Sequence, residues 1–181
     1  EEIAWRRGWI SDDELKALDA SYIVVPDVEK ALHRIAYARI RGCEEGIIVT
    51  GSHGKTKTKE LIYRALLNHG DTRRSPRSWN SAIGVPLAIW DMTIAEGMPD
   101  HIITEVAIDG PDQGAKMAGL LSGSHHIGVI TPITDEHDEA FICHADKVKE
   151  KVDIVRNCRQ IVFADTDPEL RRQLEQLSGV E

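Results

Sequence analysis

The chain alternates short, almost continuously apolar runs with longer stretches of helical spacing. The apolar runs cover residues 22–25, 46–50, 101–107, 126–131 and 160–165. Runs of this length without polar alternation predict strands buried on both faces. Val28, Leu32, Ile35, Ala36 and Ile40 fall near helical spacing and predict a helix over 28–41. Leu61, Ile62, Ala65 and Leu66 predict one apolar face of a helix over 56–67. Further helices are predicted over 86–92, 114–121 and 145–155, and Asp167 caps a last one reaching Leu177. The basic, turn-rich segment 71–81 reads as loop with one short strand. Such alternation predicts an α/β fold, a mostly parallel sheet with flanking helices. A break near Gly42–Gly46 divides the chain. Residues 1–44 would end a preceding domain or linker with its own strand–helix unit, and 45–181 would form an incomplete α/β domain.

A chain of 181 residues holds one domain, or one and part of another. With 41% hydrophobic and 29% charged residues it sorts with globular rather than disordered or fibrous chains. Twenty-two basic against thirty acidic side chains give a net charge of −8. That balance argues against nucleic acid as partner, because neutralising its phosphates needs a basic footprint. A local basic pocket for a small phosphate ligand remains compatible with it. No run approaches the ~18 apolar residues of a membrane span, and the opening residues lack the apolar core of a signal peptide. No membrane partner is expected. Cys43, Cys143 and Cys158 are odd in number and widely spaced. They predict free thiols and a reducing, cytoplasmic compartment. The chain opens on Glu rather than Met, and the expectation is a piece of a longer protein.

The strongest local signal is Gly51-Ser52-His53-Gly54-Lys55-Thr56, set between a predicted buried strand and an amphipathic helix. A phosphate-binding loop belongs at that junction. Glycines let backbone N–H groups approach phosphate oxygens, and the helix start adds the positive end of its dipole. Lys55 supplies charge for the terminal phosphates of ATP, and the Thr56 hydroxyl is a ligand for Mg²⁺. The spacing Gly-x-x-Gly-Lys-Thr is two residues shorter than the general Gly-x-x-x-x-Gly-Lys-Ser/Thr pattern, which points to a subclass.

The loop, with Thr50 before it, resembles that of the Mur ligase family, the ATP-dependent amide ligases of peptidoglycan assembly. A second segment, Asn80-Ser81-Ala82-Ile83-Gly84-Val85-Pro86-Leu87, is similar to one in the family's D-alanyl-D-alanine-adding branch. Ile103-Thr104-Glu105-Val106 resembles the strand ending in the family's acidic Mg²⁺ residue. Ile130-Thr131-Pro132-Ile133 through Glu136-His137 resembles its histidine loop, with Pro where the family has Asn. Lys151, 14 residues after His137, matches the position of the family's carbamylated lysine, with Lys149 as competitor. The stretch Arg74 to Ser81 is also similar to ligases fused to an alanine racemase. The segment Val106 to Gly114 departs from the family's small-residue turn.

The resemblance implies a P-loop NTPase-like central domain of a Mur ligase. Gly51, Ser52, His53, Gly54, Lys55 and Thr56 would bind ATP, and Thr56 and Glu105 would organise one Mg²⁺. His137 and a carbamylated Lys151 would organise a second, with Asn80 and Ser81 near the transferring phosphate. Lys55, Asn80, Ser81, His137 and Lys151 would then be the catalytic set. The implied partners are ATP, a UDP-muramoyl tripeptide and D-alanyl-D-alanine, the last two bound by the longer parent protein. Alone, the chain is expected to be ligase-inactive. Two alternatives stay open: a phosphate-loop module without ligase activity, and a ligase of the folylpolyglutamate-synthase type. Zinc is disfavoured, because no pair among His125, His126, His137, Cys143 and His144 has finger spacing. Arg73, Arg74 and Arg77 read equally as a phosphate patch or a soluble loop. Trp79 and Trp90 read as packing residues, and the lysine run 147–151 by itself reads as a solvated face.

Overall fold

The computed structural model describes residue 13 and residues 23–94, 97–121, 125–135 and 138–177. Its strands are β1 (Glu45–Thr50), β2 (Thr72–Arg74), β3 (His101–Glu105), β4 (His125–Ile130) and β5 (Gln160–Phe163). The helices are α1 (Val28–Ile40), α2 (Lys55–Leu66), α3 (Gly84–Ile94), α4 (Gln113–Leu121), α5 (His144–Val155) and α6 (Pro168–Glu175). A short 3-10 turn spans Asp138–Ala140. The strands form one sheet in the order β2-β3-β1-β4-β5, and every pairing is parallel. This bears out the expected parallel α/β fold. β1 is the central strand, buried from Gly46 to Thr50, which is why it reads as an unbroken apolar run.

Parity along the strands sorts the core into two layers. Ile47, Val49 and Ile103 face Ile62, Tyr63 and Leu66 of α2. Ile48, Ile102 and Ile130 face the opposite way, into the larger layer. That layer is built by Ile40 of α1, Ile89 of α3, Leu121 of α4, Val152 of α5 and Leu170 of α6. The lead-in helix α1 therefore shares a core with the rest of the sheet, packing on α3 and α4. Asp27 caps it through the Lys30 N–H at 3.0 Å. Asp167 caps α6 through the N–H groups of Glu169 and Leu170, as its position predicts.

Two local expectations are corrected. Residues 23–25 of the predicted first strand lie outside the sheet, with Ile23 and Val24 exposed; Tyr22 is outside the described residues. The apolar face of α2 is also rotated. Leu61 is 66% exposed, and the sheet-facing stripe runs Lys59, Ile62, Tyr63, Leu66. A lysine can take a core position when its ammonium has internal acceptors, and Lys59 has them. Among the described residues no helix is long and apolar enough to cross a membrane.

Gly128 in β4 lies hard against α5: a Cβ there would stand 2.7 Å from Val155 Cβ and 3.3 Å from Cys158 Sγ. Gly128→Ala should lower stability by about 1–3 kcal/mol through overpacking, read as an earlier urea midpoint at unchanged slope. Burial also pushes the Cys158 thiol up to about 12 and raises that of Cys43, while Cys143 is exposed. Because the thiolate is the nucleophile, iodoacetamide at neutral pH should label Cys143 and spare the other two. Equal labelling of Cys158 in the folded chain would contradict this packing.

Candidate nucleotide site

In open parallel sheets ligands gather at the carboxyl ends of the strands, where successive crossovers leave on opposite sides. Here that place is the end of β1. The chain leaves β1 toward β2 and β3 on one side, and β3 connects across β1 to β4 on the other. Val49 is in register with Glu105, and Thr50 with Ile130. The segments following β1, β2, β3 and β4 converge there.

The loop after β1 needs its glycines. Gly51 has φ +130°, and a Cβ on it would overlap the Thr131 hydroxyl and sit 2.6 Å from the Thr131 carbonyl oxygen. Gly54, at φ +87°, turns the chain into α2 and leaves that helix without a side-chain cap. The first turn of α2 holds Lys55 and Lys57 and no acid. Each cation opposes the helix dipole by about 0.3–1 kcal/mol, so this helix end is strongly electropositive and suited to an anion. Lys55 Nζ donates to the carbonyls of Gly51 (3.1 Å) and Ser52 (2.6 Å). The N–H groups of Ser52 and His53 both donate to the Pro132 carbonyl, at 3.1 and 3.4 Å. The proline in the histidine loop thus serves through its backbone oxygen. His53 Nδ1 bonds the Thr134 hydroxyl at 2.8 Å.

Glu105 ends β3 with its side chain 1% exposed. Its Oε1 accepts from Thr56 Oγ1 at 3.1 Å and from Asn80 Nδ2 at 2.8 Å. Its Oε2 lies 3.2 Å from Lys59 Nζ; the pair is ionic, outside hydrogen-bond alignment, and Oε2 accepts no hydrogen bond among the described residues. Lys59 is itself fully buried and donates to the carbonyls of Ser75 (3.0 Å) and Arg77. The Ser75 hydroxyl accepts from the Glu105 N–H at 3.1 Å. Removing one partner of such a buried pair strands the other charge, at a cost of about 3–5 kcal/mol.

The other expected residues are distributed as follows. Lys151, on the buried face of α5, donates to the carbonyls of Gly51 and Ile108, each at 3.3 Å. Lys149 points outward, 63% exposed, and pairs with Asp153. Lys147 is fully buried and bonds the Thr134 carbonyl and Asp138. Two of the three lysines in this run therefore face inward, which corrects the solvated-face reading. Their internal acceptors are loop carbonyls that no helical periodicity announces. Ser81 is not among the residues lining the cavity beside this loop, and its hydroxyl accepts from the Gly84 N–H at 3.1 Å at the start of α3. Glu136 and His137 lie outside the described residues. Two of the three clustered arginines serve the fold. Arg73 bonds Asp71 and the Met92 carbonyl. Arg74 pairs with Glu60 at 2.7 Å and covers the Tyr63 ring at 3.9 Å, and its hydrogen bond holds the Glu60 carboxyl below the usual range.

Lys59, Ser75 and Ser78 belong to the site and were missed by the sequence reading. For Lys59 a signal existed, since residues 59, 62, 63 and 66 follow the helical repeat of a buried stripe. For the two serines no pattern pointed inward. A cavity of about 710 Å³ opens over the phosphate loop, lined by Gly54, Lys55, Thr56, Ser78, Asn80 and Glu105 among others. No group of three or more His, Cys, Asp or Glu side chains able to hold a metal occurs among the described residues. The oxygen donors Thr56 and Glu105, which line this cavity beside each other, fit a hard cation that keeps most of its waters.

The geometry agrees with known proteins. The Mur ligase middle domain matches residues 49–179. A UDP-N-acetylmuramoyl-tripeptide–D-alanyl-D-alanine ligase of Synechocystis sp. is 40% identical over 91 residues, 49% of this chain and 18% of its own length. The ligase of the same name from Bacillus subtilis is 28% identical over 156 residues, 82% of this chain and 32% of its own. The chain thus spans a third or less of either relative. Among solved structures, MurF ligase from Thermotoga maritima in complex with ADP superposes with a TM-score of 0.73 at 22% identity. The match covers 89% of this chain and 38% of that one. MurF from Acinetobacter baumannii gives 0.74, also at 22% identity, over 87% of this chain and 36% of its own. With a middle-domain match over most of its length and the phosphate loop and Glu105 at the carboxyl edge of that sheet, the chain belongs to the Mur ligase family.

Proposed function

We propose that this chain is the ATP- and Mg²⁺-binding part of an ADP-forming carboxylate–amine ligase that adds D-alanyl-D-alanine to a UDP-N-acetylmuramoyl tripeptide. The observation carrying the reading is the convergence of Thr56 and Asn80 on one oxygen of Glu105, beside the phosphate loop. The names of the relatives support the substrates. In this reading residues 45–181 make the nucleotide-binding domain and residues 1–44 lead into it.

The reaction has two displacements. A substrate carboxylate oxygen attacks the γ-phosphorus of ATP, the bond to the β-phosphate oxygen breaks, and ADP leaves. The amine of D-alanyl-D-alanine then attacks the acyl carbon, inorganic phosphate departs, and the amine loses a proton to solvent. Lys55 and the amides of residues 51–56 hold the phosphates, work that is mostly positioning and charge stabilisation. For that, Lys55 exchanges its bonds to the Gly51 and Ser52 carbonyls for phosphate oxygens. Asn80, held by Glu105, faces the transferring group, with Ser81 at the start of α3 behind it. Thr56 and Glu105 would hold one Mg²⁺, and His137 with a carbamylated Lys151 a second; the metal supplies neutralisation of charge on the phosphates. The buried amine of Lys151, bonded to the loop carbonyl of Gly51, supports a role beside that loop. Carbamylation would turn this amine into an anionic oxygen ligand. The acidic balance argues against a nucleic-acid partner, and the proposed compartment is the cytoplasm.

Two measurements check this. Isothermal titration of ADP with Mg²⁺ should show binding that Lys55→Ala weakens about 10- to 150-fold, the worth of a charge-assisted hydrogen bond; unchanged affinity would remove the phosphate-loop assignment. In the full-length parent, phosphate release should require both UDP-muramoyl tripeptide and D-alanyl-D-alanine. Release with a folate substrate instead, or with neither, would replace the muropeptide reading by one of its alternatives.

A further inference from the structure

We infer that Lys59 is a positioning residue of this site: it fixes the rotation of the Glu105 carboxylate and the path of the loop after β2, and through them the aim of Asn80. The inference rests on the ligase reading above and adds to it a residue outside the phosphate loop.

A carboxylate at the end of a strand can rotate about its last bond, and its plane could take many orientations relative to the cavity. Here the two oxygens have different neighbours. Oε1 meets Thr56 and Asn80, and Oε2 meets only the Lys59 ammonium among the described residues. The ionic attraction therefore fixes the plane of the carboxylate, so that while one oxygen faces Lys59 the other points to Thr56 and Asn80. The same ammonium binds the carbonyls of Ser75 and Arg77. Arg77 has φ +48°, a left-handed conformation unfavourable for a residue with a Cβ. A charged donor on its carbonyl stabilises that turn. The turn is what brings Ser78 and Asn80 back over the cavity, since Trp79 N–H closes on the Pro76 carbonyl at 3.1 Å and Asn80 N–H on Ser78 at 2.9 Å.

Placement accounts for why lysine is needed. Residue 59 lies one helical turn beyond Lys55, on the buried stripe of α2. From there an unbranched ammonium reaches across the end of β3 to the segment after β2. An apolar residue would leave Glu105 Oε2 without its counter-charge and two carbonyls without a donor. Arginine presents a wider, planar fork and does not substitute freely in a closed site. Lys59 does not line the cavity, so it acts through Glu105 and Asn80 rather than on the phosphates.

A double-mutant cycle in the full-length parent tests this. Lys59→Gln should lower kcat at least 30-fold while KM for ATP stays within threefold. Asn80→Ala should give a similar loss, and the double variant should be no worse than either single one, because both disable one device. Arg64→Gln, an exposed charge loss on the same helix, should leave both constants unchanged. Hydrogen exchange on the chain itself should show residues 75–80 at least tenfold less protected in Lys59→Gln, with the sheet unchanged. Should Lys59→Gln not fold, Lys59→Arg decides: it keeps the buried charge, and the same cycle should show at least a threefold loss of kcat that does not multiply with Asn80→Ala. Losses that multiply, or wild-type kcat and protection in a folded variant, overturn the proposal. A wild-type parent without ATP-dependent phosphate release overturns the ligase reading itself. The exchange data then still report whether Lys59 holds the loop.

Discussion

A carboxylate withdrawn from water must be met by donors from within the protein, and the site is arranged around that constraint at Glu105. Its partners come from two parts of the chain: the Thr56 hydroxyl and the Lys59 counter-charge from α2, and the Asn80 amide from the segment after β2. Only a strand lying between β1 and β2 can collect both, and β3 occupies that place. The non-sequential strand order is therefore what makes the cluster possible. A sequential order would put the phosphate loop and Asn80 on the same side of β3, and one of them out of reach.

Charge follows the same logic at a larger scale. The chain carries a net charge of −8, yet four of its lysines gather about one edge of the sheet. Lys59, Lys147 and Lys151 are buried, and Lys55 lies half-buried over the loop. Of these, only Lys59 stands in an ion pair with Glu105. Lys55 and Lys151 both donate to the Gly51 carbonyl, and Lys147 fastens the Thr134 segment, which bonds His53. Lys59 and Lys147 are matched by Glu105 and Asp138, so the charge offered to a ligand at the loop is that of Lys55, held on two loop carbonyls at little reorganisation. That is the environment in which a polyanion gains most from electrostatics. Overall composition averages this away.

The sheet was legible because buried parallel strands announce themselves. The predicted runs at 46–50, 101–107, 126–131 and 160–165 each overlap an observed strand to within one or two residues at either end. The run before Pro26 failed the same rule because it has no neighbouring strand to pair with among the described residues. Glycine spacing made the phosphate loop legible, since the positive φ of Gly51 and Gly54 is a local demand. Connections depending on distant backbone were hidden. The Glu150 carboxylate caps the segment before α4 through the N–H groups of Asp112 and Gly114, and no spacing in the sequence links these positions. For the same reason the tether from Lys151 to Gly51 was open to Lys149 until the face of α5 was known.

Lys59 stands between these cases. Its stripe was written in the sequence, but a reading that counts only apolar residues sets the face on Leu61, Ile62, Ala65 and Leu66 and leaves a lysine out. When a charged residue falls on the apolar repeat of a helix that begins at a ligand loop, the repeat is the better guide. The helix is held to the sheet by Ile62, Tyr63 and Leu66, and residue 59 has no freedom to turn outward without unseating them. Its charge must then be matched inside, and the nearest strand end supplies Glu105. Packing in α2 and the chemistry at the end of β3 are in this sense one constraint: the side chains that seat the helix also fix where its lysine, and hence the carboxylate, must be.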